Sequence, residues 1–221
     1  MINNRFYTVG ELNHLIDNID SVKETLNYID YASKPNPEKG ASGAICPFLP
    51  RAIALDSIWC CISKLKEFNF EVMEQLINEN VELFHSLSPN EGNNKIYKTL
   101  VLAFPNIPFE QTEELITGIH STFKRRLVYK GLMIGEFFSD NNHHGLYNKE
   151  FYPLQSNIPL IAIRHLVPED LPFLTKESDS EDMQIDFLQG YLKTFEGKLD
   201  SNRYERASKQ LKILKEQSYI L

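Results

Sequence analysis

Cysteine is scarce in this chain, since only 3 of its 221 residues are cysteine and two of these, Cys60 and Cys61, are adjacent. Three thiols in this arrangement form neither a disulfide framework nor a paired Cys-x-x-Cys metal motif. A chain of this length can bury a large hydrophobic core without such cross-links. We therefore expect reduced thiols in a protein whose stability comes from packing.

Long apolar runs are missing as well. The longest, such as residues 158–163, are far shorter than the roughly 18 to 20 residues that a membrane helix needs. The first residues also lack the basic and then apolar pattern of a secretory signal. We therefore expect a cytoplasmic protein without a membrane partner.

Basic residues are outnumbered, with 23 Lys and Arg against 30 Asp and Glu, so the formal net charge is -7. Residues 168–186 hold seven acids and one lysine, which accounts for -6 of that charge. Because no basic stripe is available to neutralise phosphates, the sequence argues against a nucleic-acid partner. The acidic segment is typical of a solvated linker that leads into a helix.

Hydrophobic periodicity, helix caps and breakers divide the chain into helices and strands. Two short N-terminal helices are predicted from the capping boxes Thr8 with Glu11 and Ser21 with Glu24. Further helices are predicted at residues 70–87 and 108–129, and two more follow the acidic segment. Strands are predicted at residues 57–65, 98–104, 132–138 and 158–167.

This order predicts an α+β fold with a mixed four-stranded sheet, packed helices, and helical N- and C-terminal extensions. The helix between the first two strands favours their parallel pairing. The domain prediction is N-terminal helices and a loop over residues 1–44, an α+β core over 45–175, and C-terminal helices over 176–221. The connection of about twenty residues between the last two strands is too long for an ordinary hairpin and is a candidate lid.

No strong catalytic signature is present: the sequence contains no P-loop and no GxGxxG, HExxH or GxSxG motif. Polar residues at the ends of apolar elements are the remaining candidates. Arg164 and His165 end the last strand and point to opposite faces. Arg164 either forms a cross-strand ion pair with Glu136 or binds a carboxylate or propionate group.

His120 lies at the edge of the apolar face of the helix predicted at residues 108–129. Such a histidine is either a snorkelling or capping group or a ligand of a metal or haem. Cys46 is either a buried structural residue or a nucleophile that needs a histidine within reach. The adjacent His143 and His144 are expected to be exposed in their loop.

Five short motifs carry a family resemblance: CPF at residues 46–48, GLMIGEFF at 131–138, GLYN at 145–148, PLIAIRH at 159–165 and DLPFL at 170–174. In this order they resemble an uncharacterised bacterial domain family over residues 45–175. More distantly, the chain is similar to the YqcI/YcgG family, which includes haem-dependent enzymes that hydroxylate nitrogen atoms. That similarity includes Phe104-Pro105, Ile119-His120 and residues 135–138, although the tryptophan-rich segment of that family is missing.

The resemblance implies a haem-binding oxygenase that N-hydroxylates a small nitrogen-containing metabolite. His120 or His165 would then bind the iron, Arg164 or Arg51 would neutralise a haem propionate, and Glu136 and Cys46 are the catalytic candidates. The alternative is a non-catalytic binding or accessory protein of a bacterial biosynthetic or defence operon. A transferase that depends on Cys46 is the third hypothesis. The expected partner is a small-molecule substrate, and a homodimer is left open.

Overall fold

The computed structural model describes residues 5–14, 20–176 and 179–218. Over these residues the chain forms five strands and seven α-helices. The strands are β1 (Tyr7–Thr8), β2 (Ile58–Ile62), β3 (Thr99–Ala103), β4 (Leu132–Phe137) and β5 (Leu160–His165). The helices are α1 (Val9–Asn13), α2 (Asp20–Ala32), α3 (Leu49–Ala54), α4 (Phe70–Ser86), α5 (Phe109–Tyr129), α6 (Glu181–Thr194) and α7 (Ser201–Ser218).

The strands form one mixed sheet in the order β1-β2-β3-β5-β4. Strands β2 and β3 are parallel, with Ile58 opposite Thr99, because helix α4 returns the chain to the start of the sheet between them. Strand β5 is antiparallel to β3, with Arg164 opposite Thr99. The predicted α+β class and mixed sheet are confirmed.

The predicted number of four strands is wrong, because β1 adds a fifth strand at the edge of the sheet. It pairs antiparallel with β2, with Tyr7 opposite Cys60. Two residues are too few to show the alternation by which strands are recognised in a sequence. Moreover, Thr8 also caps α1: its hydroxyl accepts a hydrogen bond from the Glu11 amide at 3.2 Å, and its own amide donates to the Glu11 carboxylate at 2.8 Å.

The helix caps predicted from sequence are only partly correct. The capping box of Thr8 with Glu11 is confirmed, and Asn69 caps α4 by accepting a hydrogen bond from the Val72 amide at 2.9 Å. Helix α2 begins at Asp20, so Ser21 lies inside the helix and is not its N-cap.

The chain divides into two compact units, neither of which is a single continuous stretch of sequence. The first unit contains the described residues up to His120 together with Ile134–Arg164. The second contains Ser121–Met133 and the described residues from His165 onward. The division into domains at residues 44 and 175 stays a prediction.

Each unit has its own buried cluster of apolar side chains. In the first unit, side chains of α1, α2 and α3 pack with strand residues; the cluster includes Leu12, Val22, Ile29, Ala52, Ile58 and Val101. In the second unit, α6 and α7 pack with Val128 and Leu166; the cluster includes Leu174, Phe187, Leu188, Tyr191 and Ala207. Burial of such surface supplies about 25 cal/mol per Å².

Four of the seven acids in the acidic segment have partners within the fold, which a solvated linker does not predict. Asp170 is 1% exposed and accepts a hydrogen bond from the Val167 amide at 2.9 Å. Asp179 accepts one from the buried Lys124 ammonium at 3.2 Å. Two further ion pairs join Asp186 to Arg125 and Glu169 to Arg203. The negative charge of this segment therefore meets basic residues of α5 and α7.

In the part of the chain that the structure describes, every helix is too short or too polar to span a bilayer.

Two helical glycines, Gly118 in the first unit and Gly190 in the second, provide a matched test of the packing within each unit. A Cβ atom on Gly190 would lie 2.9 Å from Val128 Cγ1 and 3.2 Å from the Tyr129 amide nitrogen, whereas one on Gly118 would lie 3.4 Å from Phe70 Cε2. We expect Gly190→Ala to destabilise the protein by roughly 1–3 kcal/mol through overpacking. Gly118→Ala should stabilise it by up to about 1 kcal/mol through helix propensity. Urea unfolding followed by circular dichroism measures both, and a Gly190→Ala variant as stable as the parent would contradict this packing.

Candidate functional site

Glu136 is a buried carboxylate near the end of β4, with 2% of its surface exposed. Its Oε1 atom lies 3.3 Å from His120 Nδ1 and 3.7 Å from His143 Nε2. An ionised carboxylate removed from water is costly unless it is paired. The two imidazoles supply such pairing, and all three residues belong to the first unit. We call Glu136, His120, His143 and Asn141 the Glu136 cluster.

His120 reaches this carboxylate from α5. Its side chain is 16% exposed, which confirms the edge position predicted from the helical periodicity. Its neighbours Ile116, Ile119 and Phe123 are at most 1% exposed and fix this part of the helix in the core. Nδ1 faces Glu136, which is the kind of carboxylate contact that metal-binding histidines commonly make through their second ring nitrogen.

His143 reaches the same carboxylate from the loop that follows β4. Its side chain is 38% exposed, whereas the side chain of Glu136 is 3% exposed. His144 is exposed, and its Nδ1 lies 2.9 Å from the Gly145 carbonyl oxygen. His144 is exposed as expected, whereas His143 is partly exposed and its ring also faces the Glu136 carboxylate.

Asn141 joins β4 to His143. It is 1% exposed; its Nδ2 donates to the Glu136 carbonyl at 3.3 Å, and its Oδ1 accepts a hydrogen bond from the His143 amide at 3.0 Å. The second bond is the local turn that asparagine side chains form with the amide two residues later. The pattern Asn-x-His, which begins four residues after the end of β4, is the sequence signal that could have indicated this arrangement.

Residues 139–157, which we call the 139–157 loop, are fastened to the first unit at several points. The Tyr28 hydroxyl donates to the Pro153 carbonyl at 2.8 Å, and Asn157 Nδ2 donates to the Glu24 carboxylate at 2.7 Å. Asn148 Nδ2 donates to the Glu38 carbonyl at 2.8 Å. Helix α2 and the turn at Pro37–Lys39 thus hold the loop that carries His143. Its movement as a lid stays a prediction.

The phenol of Tyr28 is neutral when it forms its hydrogen bond to this loop. Burial, and secondarily the nearby Cys46 thiol, raise the pKa of Tyr28 well above its ordinary value. Its ring also packs against that of Phe137, with the ring centroids 5.1 Å apart. The phenol therefore remains a hydrogen-bond donor throughout the physiological range.

Arg164 lies at the end of β5 with its guanidinium carbon 5.4 Å from the centroid of the Phe48 ring. This contact brings the CPF motif and the PLIAIRH motif together. The predicted ion pair between Arg164 and Glu136, and the role of Arg164 in binding an anion, stay predictions. Arg51 is exposed on α3, and His165 is half-buried in the second unit. Their predicted roles as propionate and metal ligands also stay predictions.

Cys46 is half-buried just before α3. Its amide donates to the Ala32 carbonyl at 2.8 Å, and its carbonyl accepts a hydrogen bond from the Leu49 amide at 3.2 Å. These bonds fix the backbone of the CPF motif between α2 and α3. The use of Cys46 as a nucleophile stays a prediction.

The Glu136 cluster is suited to moving protons and to holding a ligand on histidine. Imidazole is the side chain that most often acts as a general acid or base, and two of them face this carboxylate. Among residues 5–14, 20–176 and 179–218, no group of three or more His, Cys, Asp or Glu side chains is arranged to hold a metal ion.

Comparison with known proteins places the chain in a family. Residues 22–206 match the model of DUF6875, a domain of unknown function, and the chain belongs to this family. No curated protein and no solved structure matches it. The predicted membership of an uncharacterised domain family is confirmed, while the more distant similarity to the YqcI/YcgG family stays a prediction.

The three thiols should differ sharply in reactivity. Burial raises the pKa of both Cys60 and Cys61 to about 12, and they are 0% and 2% exposed. Because the thiolate is the nucleophile, iodoacetamide at pH 8 should label Cys46 in the native protein and the other two only after unfolding. Mass spectrometry of peptides checks this, and Cys46→Ser should abolish native labelling. Rapid native labelling of Cys60 or Cys61 would contradict their burial.

Proposed function

We propose that this DUF6875 member is a haem-binding oxygenase that acts on a small nitrogen-containing metabolite by N-hydroxylation. The observation that carries the proposal is the 3.3 Å contact between His120 Nδ1 and the buried Glu136 carboxylate. Histidines that bind a metal commonly donate their other ring N–H to a carboxylate, which fixes the ring and raises its basicity. The reaction type comes from the similarity to the YqcI/YcgG family.

The residues present fit this group through the kind of donor set they form. Haem brings nitrogen ligands of its own, so a single protein histidine would be sufficient to hold it. The described residues offer a histidine backed by a carboxylate, and no cluster of three or more ligands for a bare ion. When bound, haem supplies the oxygen chemistry that amino-acid side chains lack.

The remaining roles belong to side chains of the first unit. His120 would bind through Nε2, and Glu136 would orient the ring. Arg164, half-buried beside Phe48, offers a positive charge to a propionate, and Arg51 is the second candidate for that role. His143 is partly exposed and lies beside the same carboxylate, so it can exchange protons with solvent.

Hemin titration tests the proposal with a matched pair of histidine variants. We expect the protein and His144→Ala to develop a Soret band that shifts on reduction, whereas His120→Ala should lose it. Glu136→Gln should bind roughly 10- to 100-fold more weakly, as expected when the outer partner of a ligating histidine is removed. The readout is the absorption spectrum, with circular dichroism as the check of folding.

Two results would overturn the proposal. One is the absence of a Soret band in the parent protein, and the other is unchanged hemin binding in folded His120→Ala. Unchanged binding in His120→Ala would point to His165 as the iron ligand. The absence of a Soret band would favour the second candidate, a non-catalytic binding or accessory protein of a bacterial biosynthetic or defence operon. The feature that supports this candidate is the pair of C-terminal helices α6 and α7, whose amphipathic faces would form its contact surface.

A further inference from the structure

We propose that Asn141 is a positioning residue that holds His143 against Glu136 and so makes the Glu136 cluster a two-histidine site. Its consequence for catalysis rests on the proposed function, whereas its effect on the position of His143 does not.

Both polar atoms of the Asn141 side chain form hydrogen bonds. Its Nδ2 donates to the Glu136 carbonyl at 3.3 Å, while its Oδ1 accepts a hydrogen bond from the His143 amide at 3.0 Å. One amide group therefore links the strand residue that carries the carboxylate to the loop residue that carries the imidazole.

The backbone of Asn141 is held as firmly as its side chain. Its amide donates to the Phe138 carbonyl at 3.2 Å, and its carbonyl accepts a hydrogen bond from Gln155 Nε2 at 3.3 Å. The residue is 1% exposed. Four hydrogen bonds in a buried position fix the direction in which the next two residues leave the strand.

The two adjacent histidines of this loop show why a positioning residue is needed. The ring of His143 faces Glu136 at 3.7 Å, while the ring of His144, one residue later, contacts the Gly145 carbonyl. Of the two, His143 is the one whose amide donates to the Asn141 side chain. Fixing that amide selects which of the two rings reaches the carboxylate.

Asparagine meets requirements that its closest analogues do not. Aspartate keeps the acceptor but loses the donor and would place a second carboxylate beside the Glu136 carbonyl. Serine keeps an oxygen that can accept from the amide two residues later, although more weakly. Alanine keeps neither function. These three side chains therefore separate the role of the turn from that of general packing.

The consequence for the site is a contact between the buried carboxylate and a partly exposed imidazole. Glu136 is buried and His120 is mostly so, whereas the His143 side chain is 38% exposed. Held against Oε1, His143 connects the buried carboxylate with solvent. If His143 were not held there, His120 would be the histidine of the Glu136 cluster that still contacts Glu136.

The test reads the position of His143 directly from the ring nitrogen signals of hemin-free, ¹⁵N-labelled protein. In the parent background, Glu136→Gln should shift the ring signals of both His120 and His143. In an Asn141→Ala background the same change should still shift His120 but should lose its effect on His143. Asn141→Ser should restore the response of His143, and the signals of His144 serve as the control that does not respond.

The inference fails if His143 responds to Glu136→Gln as strongly in Asn141→Ala as in the parent, or if Asn141→Ser is no better than Asn141→Ala. Should Asn141→Ala not fold, Asn141→Gly, which also lacks the acceptor, takes its place in the comparison. Because no hemin is present, a failed hemin titration leaves this result intact. Conversely, loss of this inference leaves binding through His120 untouched.

Discussion

The pairing of the buried Glu136 carboxylate with the His120 imidazole is the interaction on which the arrangement of the site depends. A carboxylate that is 2% exposed carries a desolvation cost of several kcal/mol if it is ionised and unpaired. Helix α5 supplies His120 from one side, and the 139–157 loop supplies His143 from another. The hydrogen bonds between α2 and that loop hold a polar loop over this buried carboxylate.

Much of the fold follows from local patterns in the sequence. Amphipathic periodicity and caps predict α4 and α5 to within a residue or two, and the helix between β2 and β3 predicts their parallel pairing. Strand β1 cannot be predicted from local patterns, because its two residues become a strand only by pairing with Cys60 and Trp59. The acidic segment escapes such prediction for a similar reason: its partners, Lys124 and Arg203 among them, are distant in sequence.

Sequence reasoning identified His120 and Glu136 as candidate residues, but it did not identify the contact between them. Periodicity places His120 at the edge of α5, and the lone charge in LMIGEF singles out Glu136. Their meeting depends on the way α5 lies beside the sheet, which no local pattern encodes. Sequence reasoning also considered an ion pair of Glu136 with Arg164 on the neighbouring strand, and that pair stays a prediction. The same reasoning treated His143 and His144 alike, although the turn at Asn141 gives them different surroundings.

The most direct test of this pairing is a double-mutant cycle on the free energy of unfolding with His120→Leu and Glu136→Leu. Removing the histidine alone leaves a buried carboxylate short of a partner, and such a loss costs roughly 3–5 kcal/mol. We expect His120→Leu to be much less costly when Glu136 is already leucine. An equal cost in both backgrounds, within about 0.5 kcal/mol, would show that the two side chains do not interact and would contradict the central role of this pair.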